Sequence, residues 1–502
     1  MSGSKVGSDD NVKSRIQNMQ GWIFGISLLL TLFLAGSCLA AKTRPNIIIV
    51  YTDDHGYADI GVNGMVDDIR TPNIDYLATH GVRMTEGYVT APQCAPSRAG
   101  LLTGRYQERF GLDSNGLGPL PKTETTIAQR LKRAGYKTGM VGKWHLAPEW
   151  HRDRNWISRN SKAFGPFTPP IPDNFEAFSL SYSPKEFGFT EYFWGLHNTY
   201  RANYDLNGND LPEEQVLAIK EYRVDTQSEA ALTFIDRNHK DPFFLYLAYY
   251  APHVPVEATR KYLDRFPGDM PTRRRYALAM ISAMDDGVGR ILEKLRHYGI
   301  EENTLVFFIS DNGAPTHLHK EDKPLSVPLD AWDGSLNDPW VGEKGMLTDG
   351  GIRVPYIVYW PGSLPAGLVY RKPVLSLDAT ATALAVAGIE TTDALDGVDL
   401  MPYLIGGDDS APHEDLFWRF WNQAAMRSGR WKYIYLPDGR TYLFDMASAE
   451  HEHENRIARY PEIAASLHRK LEAWCAQQKK PGLPAGPINR QEKIGFSHYL
   501  GD

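Results

Sequence analysis

The chain has 502 residues, 42% of them hydrophobic and 23% charged. That is enough length and apolar content for one large domain or two smaller ones around a substantial core. Its formal net charge is −7, from 54 basic against 61 acidic residues, so no global basic field draws in nucleic acid, and an anionic ligand has to be attracted locally.

Residues 1–41 read as a signal peptide. Lys13 and Arg15 give a thin positive flank, 22–34 is an apolar run, and Gly36-Ser37-Cys38-Leu39-Ala40-Ala41 supplies the small residues of a cleavage site. The run is too short for a comfortable span, so no stable membrane span is expected in the mature chain. Met19 offers an alternative start, and lipid anchoring at Cys38 is a less favoured alternative to plain export. Of the three cysteines, Cys94 and Cys475 stay in the mature chain without a paired framework around them, and no Asn-x-Ser/Thr acceptor occurs. Both features point to a bacterial periplasm or exterior.

The mature chain alternates short apolar runs with amphipathic ones. Strands are expected at 46–52, ending in Asp53-Asp54; at 138–141, running into Gly142-Lys143-Trp144-His145; at 243–248, leading to His253; and at 305–310, ending in Asp311-Asn312-Gly313. Helices are expected at 126–134, 226–238 and 276–298. The pattern predicts an α/β fold, a large mixed, mainly parallel sheet sandwiched by helices, with polar clusters delivered at the strand tips. Residues 150–222 are rich in aromatics, among them Trp150, Trp156, Phe164, Phe167, Phe175 and Phe178. They read as a loop-rich insertion packed on the sheet, with a few residues on a cleft rim. A second expected rim is 316–341, with His317, His319, Trp332, Asp333 and Trp340. Beyond 398 the texture changes to strands within 424–436 and at 441–445 and a helix at 461–476. The expected organisation is thus a larger domain over 42–398 and a smaller C-terminal subdomain over 399–502, an antiparallel sheet with a terminal helix, with His451-Glu452-His453-Glu454-Asn455 as a solvated loop.

Cys94-Ala95-Pro96-Ser97-Arg98 places a cysteine at the mouth of a helix beside an arginine, where unpaired N–H groups and a positive dipole end suit an anionic substrate. Singly, each element has a plainer reading: a buried or redox cysteine for Cys94, a turn for Asp53-Asp54, a surface pair for Lys143 and His145, a structural histidine for His253. Their joint occurrence carries the weight.

These residues, with Gly135-Tyr136-Lys137-Thr138-Gly139-Met140-Val141-Gly142-Lys143-Trp144-His145, Ala251-Pro252-His253 and the block from Gly342 through Lys344 to Pro355, resemble the signatures of type I, formylglycine-dependent sulfatases of the alkaline phosphatase superfamily. The resemblance runs from about Pro45 to the C-terminal helix. It implies that a maturing enzyme converts Cys94 to Cα-formylglycine, whose hydrate attacks sulfur. It implies metal ligation by Asp53, Asp54, Asp311, Asn312 and residue 94, with Asp311 as proton acceptor; the oxygen atoms of the four side chains suit Ca²⁺, with Mg²⁺ as the alternative. It implies Arg98 and His145 on the hydrate, Lys143 and Lys344 on the sulfate, and His253 on both sulfate and leaving oxygen. Two departures stand out: Gln93 replaces the apolar residue common before the cysteine, and Asp349 replaces the usual Glu. The blocks around 87–111 and 335–340 look most like bacterial sulfatases acting on galactose- or galactosamine-based polysaccharides, for example carrageenan, which makes a sulfated carbohydrate the expected substrate. Two alternatives remain open: a phosphonate or phosphodiester hydrolase of the same superfamily, or a sugar-binding protein without turnover if Cys94 stays a thiol.

Overall fold

The computed structural model describes residues 44–148, 179–196, 198–327, 331–390 and 394–501. The expected leader with Cys38 and the aromatic residues of 150–178 lie outside them. Sixteen strands are named in chain order: β1 (Asn46–Asp53), β2 (Val82–Met84), β3 (Gly87–Tyr88), β4 (Lys137–Gly142), β5 (Glu191–Leu196), β6 (Thr199–Tyr204), β7 (Asp210–Ala218), β8 (Phe243–Pro252), β9 (Thr304–Ser310), β10 (Tyr356–Tyr359), β11 (Leu368–Tyr370), β12 (Val374–Leu375), β13 (Asp415–Phe420), β14 (Gln423–Ser428), β15 (Trp431–Tyr435) and β16 (Thr441–Asp445). The longer helices are α1 (Pro72–Thr79), α2 (Cys94–Thr103), α3 (Ile127–Arg133), α4 (Arg223–Asn238), α5 (Thr272–His297), α6 (Leu377–Val386), α7 (Pro461–Cys475) and α8 (Arg490–Leu500).

Ten strands form one sheet in the order β11-β2-β10-β9-β1-β8-β4-β5-β6-β7. Its centre, from β9 through β1, β8 and β4 to β5, is parallel, and β10, β6 and β7 add antiparallel pairs. β1 shows why a parallel centre follows from the sequence: every one of its residues is buried, as expected for a strand covered on both faces. Ile47, Ile49 and Tyr51 join one apolar layer with α2, α3 and α6. Ile48 and Val50 join the other with α1, α4 and α5. The expected mixed, mainly parallel sheet with helices on both faces is present.

Two expectations need correction. Residues 191–218 form β5, β6 and β7 and extend the sheet edge instead of making a loop-rich insertion. Half-exposed edge strands alternate polar with aromatic residues, and that texture resembles a packed loop. The 451–453 stretch is not a solvated loop either, because Glu452 is buried and pairs with Lys432 Nζ at 2.7 Å.

The C-terminal strands make a four-stranded antiparallel sheet, β13-β14-β15-β16. Trp418, Ala424, Ile434 and Leu443 from it, and Leu467 and Leu471 from α7, belong to the same apolar layer as β1 and α2. Cys94 and Cys475 are both free and buried. Among the described residues, no helix is long and apolar enough to cross a membrane.

Candidate active site

The polar residues that end β1, β4, β8 and β9 meet the N-terminus of α2 at one end of the parallel centre, where open α/β sheets bind ligands. β1 delivers Asp53 at its last position, and the chain turns at once through Asp54, whose φ of 60° lies in the left-handed region. β4 ends at Gly142 with φ 97°, and the Lys143 N–H donates to Ala248 O at 2.8 Å. His145 also holds a left-handed φ, 56°. Two non-glycine residues in that region beside one pocket mark a site where the fold holds strained backbone in place.

Cys94 opens α2, almost fully buried, and its thiol donates to Asp53 Oδ1 at 3.4 Å. Lys143 Nζ donates to Asp53 Oδ2 at 2.6 Å. Lys344 Nζ lies 2.7 Å from Asp54 Oδ1 and 2.8 Å from Oδ2. Arg98 is wholly buried and donates through Nε and Nη2 to Asp311 Oδ2 at 3.0 and 2.7 Å, and through Nη1 to Lys143 O at 3.1 Å. Asp311 Oδ1 accepts the Asp54 N–H at 3.1 Å, and Asn312 Nδ2 donates to Asp54 Oδ1 at 2.6 Å. His253 Nε2 stands 3.5 Å from Asp54 Oδ2. The structure therefore gathers Asp53, Asp54, Cys94, Arg98, Lys143, His253, Asp311, Asn312 and Lys344 through direct contacts, and His145 follows Lys143 by two residues.

Electrostatics follow from burial and these pairs. Burial alone would raise the Asp53 carboxyl, but Lys143 foremost, with His253, Arg98 and Lys344, holds it well below the usual range. Burial and then Asp53 push Asp311 up to about 7 against Arg98. Burial lowers His253 to about 4 although Asp53 and Asp54 oppose it. Burial, then Asp311, raises the Cys94 thiol, so the unaltered side chain is a neutral thiol.

A divalent cation fits this donor set. Ligand atoms of Asp53, Asp54, Cys94 and His253 all lie within 4.8 Å of one another. Among the described residues Asn312 Oδ1 is buried without a hydrogen-bond partner, beside Asp54, and an orphaned acceptor of this kind is satisfied by a cation. Asp311 places Oδ2 on Arg98 and Oδ1 on the Asp54 N–H.

Loop contacts fix Lys344. Its N–H donates to Ala314 O, and the Gly345 N–H donates to Pro92 O at 2.9 Å. Buried Asn337 ties Ala314 to Gly342, accepting from Ala314 N–H at 2.7 Å and donating to both carbonyls. Downstream, Asp349 accepts from Lys432 Nζ, Tyr88 Oη and Arg353 Nη1 at 2.7, 3.1 and 3.1 Å, so it supports the pocket from behind. Of the expected second rim, Trp332 and Asp333 are buried and do not form a surface. Trp340 is half-buried, with the Arg353 guanidinium 3.6 Å above its ring.

Sequence reasoning missed Asn115 and Lys432. Asn115 Oδ1 accepts the Ala95 N–H at 2.9 Å, serving the start of α2 from a loop twenty residues on. Neither residue sits in a recognisable motif, and both reach the site from segments remote from the residues they serve.

A sulfatase family model matches residues 45–389, and a model described as N-sulphoglucosamine sulphohydrolase, C-terminal, matches 340–477. The chain is 33% identical to N-acetylgalactosamine-6-sulfatase of Mus musculus over 403 residues, covering 76% of this chain and 70% of the relative. It is 34% identical to the uncharacterized sulfatase YdeN of Escherichia coli K12 over 413 residues, covering 76% and 69%. The solved structure of Ps i-CgsB in complex with k-i-k-neocarrahexaose aligns with a TM-score of 0.70 at 29% identity, over 90% of this chain and 97% of that one.

Proposed function

Because the chain belongs to the sulfatase family, we propose that it removes sulfate from a sulfated galactose- or galactosamine-based carbohydrate, using Cys94 in its Cα-formylglycine form. The observation that carries this reading is the charge balance of the pocket. Arg98, Lys143 and Lys344 stand against Asp53, Asp54 and Asp311, three cations to three carboxylates. A divalent cation held by Asp53, Asp54 and Asn312 would leave a positive surplus that matches an anionic sulfate ester. The kinship to N-acetylgalactosamine-6-sulfatase and to a structure holding a carrageenan oligosaccharide supports the choice of sugar.

Bound there, Ca²⁺ or Mg²⁺ would supply Lewis acidity toward an oxygen nucleophile and the sulfate oxygens. Residue 94, as a hydrated aldehyde, would offer one hydroxyl to attack sulfur and a second whose ionisation lets sulfate depart. The chain's own groups do the rest. Lys143 and Lys344 hold sulfate oxygens as point charges, each already oriented by a carboxylate. Arg98 locks Asp311 with two hydrogen bonds to one oxygen and keeps it beside residue 94 as proton acceptor. His253, on the partly open side of the pocket, gains a proton when an anionic ester arrives and gives it to the leaving alcohol. His145 serves the second hydroxyl. A maturing enzyme is the required partner for residue 94, and the leader-like start fits action outside the cytoplasm.

One experiment tests the reading. Protein made with a sulfatase-maturing activity is digested and weighed across residue 94, where conversion of the thiol to the aldehyde removes about 18 Da. The same batch is assayed for sulfate release from defined sulfated oligosaccharides and from an aryl phosphodiester. Aldehyde with sulfate release from galactose- or galactosamine-based oligosaccharides is the expected result. Full activity with an unaltered thiol, or a faster phosphodiester reaction, overturns it.

A further inference from the structure

Gln93 is the residue by which the nucleophile motif departs from its resemblance, and the structure gives it a partner. Its Oε1 accepts the Asn115 N–H at 2.9 Å, while Asn115 Oδ1 accepts the Ala95 N–H at 2.9 Å. Two backbone donors thereby fix both amide orientations, because only the carbonyl oxygen of each side chain can accept. Each NH₂ group must then point away from its bond. Both residues are half-buried, and among the described residues neither amide nitrogen has a hydrogen-bond partner. The Gly345 N–H to Pro92 O bond pins the other side of the segment, so the two amides are held at the start of α2, one on the residue before 94 and the other bonded to the residue after it.

We propose that Gln93 and Asn115 are specificity-determining residues whose amide NH₂ groups donate hydrogen bonds to hydroxyl, ring or acetamido oxygens of a neutral sugar bearing the scissile sulfate. The inference rests on the carbohydrate sulfatase reading above. Uncharged donors suit this ligand: they pair with sugar oxygens without charge, whereas a subsite for a neighbouring sulfate or uronate uses Arg or Lys. A pair of amides that donates to sugar oxygens also discriminates against esters that lack them, since the amides lose water without gaining a partner.

Gln93→Leu, which restores an apolar residue before the nucleophile, and Asn115→Ala are compared with wild type, all in the aldehyde form. Substrates are monosulfated galactose- and N-acetylgalactosamine-containing oligosaccharides and 4-nitrophenyl sulfate, which has no sugar oxygens. Each substitution is expected to cost about tenfold in kcat/KM on the best oligosaccharide, mainly through KM, with a several-fold smaller loss on the aryl sulfate. Equal losses on both substrates for Gln93→Leu, or none on the oligosaccharide, overturn the proposal, since the pair would then only brace the helix start or do nothing. If wild type hydrolyses the aryl sulfate and no oligosaccharide, the carbohydrate reading itself fails and takes this inference with it.

Discussion

At Gly142, replacing one hydrogen would move the site. A Cβ there would lie 2.0 Å from Ala248 O, at a φ of 97°, and the same carbonyl receives the Lys143 N–H. Gly142→Ala therefore pushes β4 from β8 just where Lys143 departs toward Asp53. The expected outcome is a stability loss of about 2 kcal/mol or more, read from denaturant unfolding, with a fall in kcat/KM greater than that of a core substitution of equal cost elsewhere. At this scale the sequence was informative where chemistry is packed into contiguous motifs. Cys94 with Arg98, Lys143 with His145, and Asp311 with Asn312 each sit within five residues, and every one of them lies in the pocket or beside it. Gln93 could be flagged only as a departure, because its partner Asn115 is apart in sequence and carries no signature. Asp333 was misread for a related reason: a charged residue among loops suggests a surface, yet here it is enclosed.

Between elements, the decisive contacts are ionic and buried. Lys432 on β15 has no exposed side-chain area and reaches both Asp349 and Glu452 at 2.7 Å, and Glu452 Oε2 accepts the Asp349 N–H at 2.7 Å. The second sheet thus grips the helical turn that follows the Lys344 loop. Lys432→Met strands two buried carboxyls, and a loss of about 3–5 kcal/mol is expected, seen as a lowered thermal midpoint. His413 supplies a pH-dependent tie between the segment leading into β13 and α6, its Nε2 lying 2.8 and 3.0 Å from the two Asp378 oxygens. Burial alone would lower this imidazole, but Asp378 more than offsets it, and the folded value is raised above 6.5. The stability from the charged pair is therefore complete below pH 6.5 and is lost as pH rises through the higher folded value. His413→Gln should be less stable than wild type at pH 5–6 and approach it at alkaline pH; a gap independent of pH would contradict this. Strand reading succeeded for β1, β4, β8 and β9 because strands buried on both faces are unbroken apolar runs. It failed for β5 to β7, where β6 alternates buried with partly exposed residues, and for β13, whose Asp415-Leu416-Phe417-Trp418-Arg419-Phe420 mixes charge with aromatics.

For the molecule as a whole, three carboxylates and an orphaned amide oxygen are buried at the end of a rigid sheet, and their mutual repulsion is relieved by Arg98 on Asp311 and by Lys143 and Lys344 on Asp53 and Asp54, the two lysines being those the proposed substrate would recruit. Cation binding should therefore stabilise the entire fold by mass action, by about 2.7 kcal/mol when the ion is at a hundred times its dissociation constant. Chelation is expected to lower the thermal midpoint and Ca²⁺ or Mg²⁺ to restore it, a calorimetric measurement independent of turnover. Because both sheets share one apolar layer, the drop should appear in a single transition rather than in one of two.

The enclosure of Cys94 also sets an order of events in biosynthesis. Its side chain is covered by groups from β1, β4 and the tip of β9, and the last of these is translated more than two hundred residues after it. If residue 94 is converted as proposed, the catalyst that remakes it has to meet the chain before these strands assemble. Material that folds with its sulfur intact is then a terminal product, so supplying the maturation machinery afterwards would rescue nothing unless the protein were first unfolded.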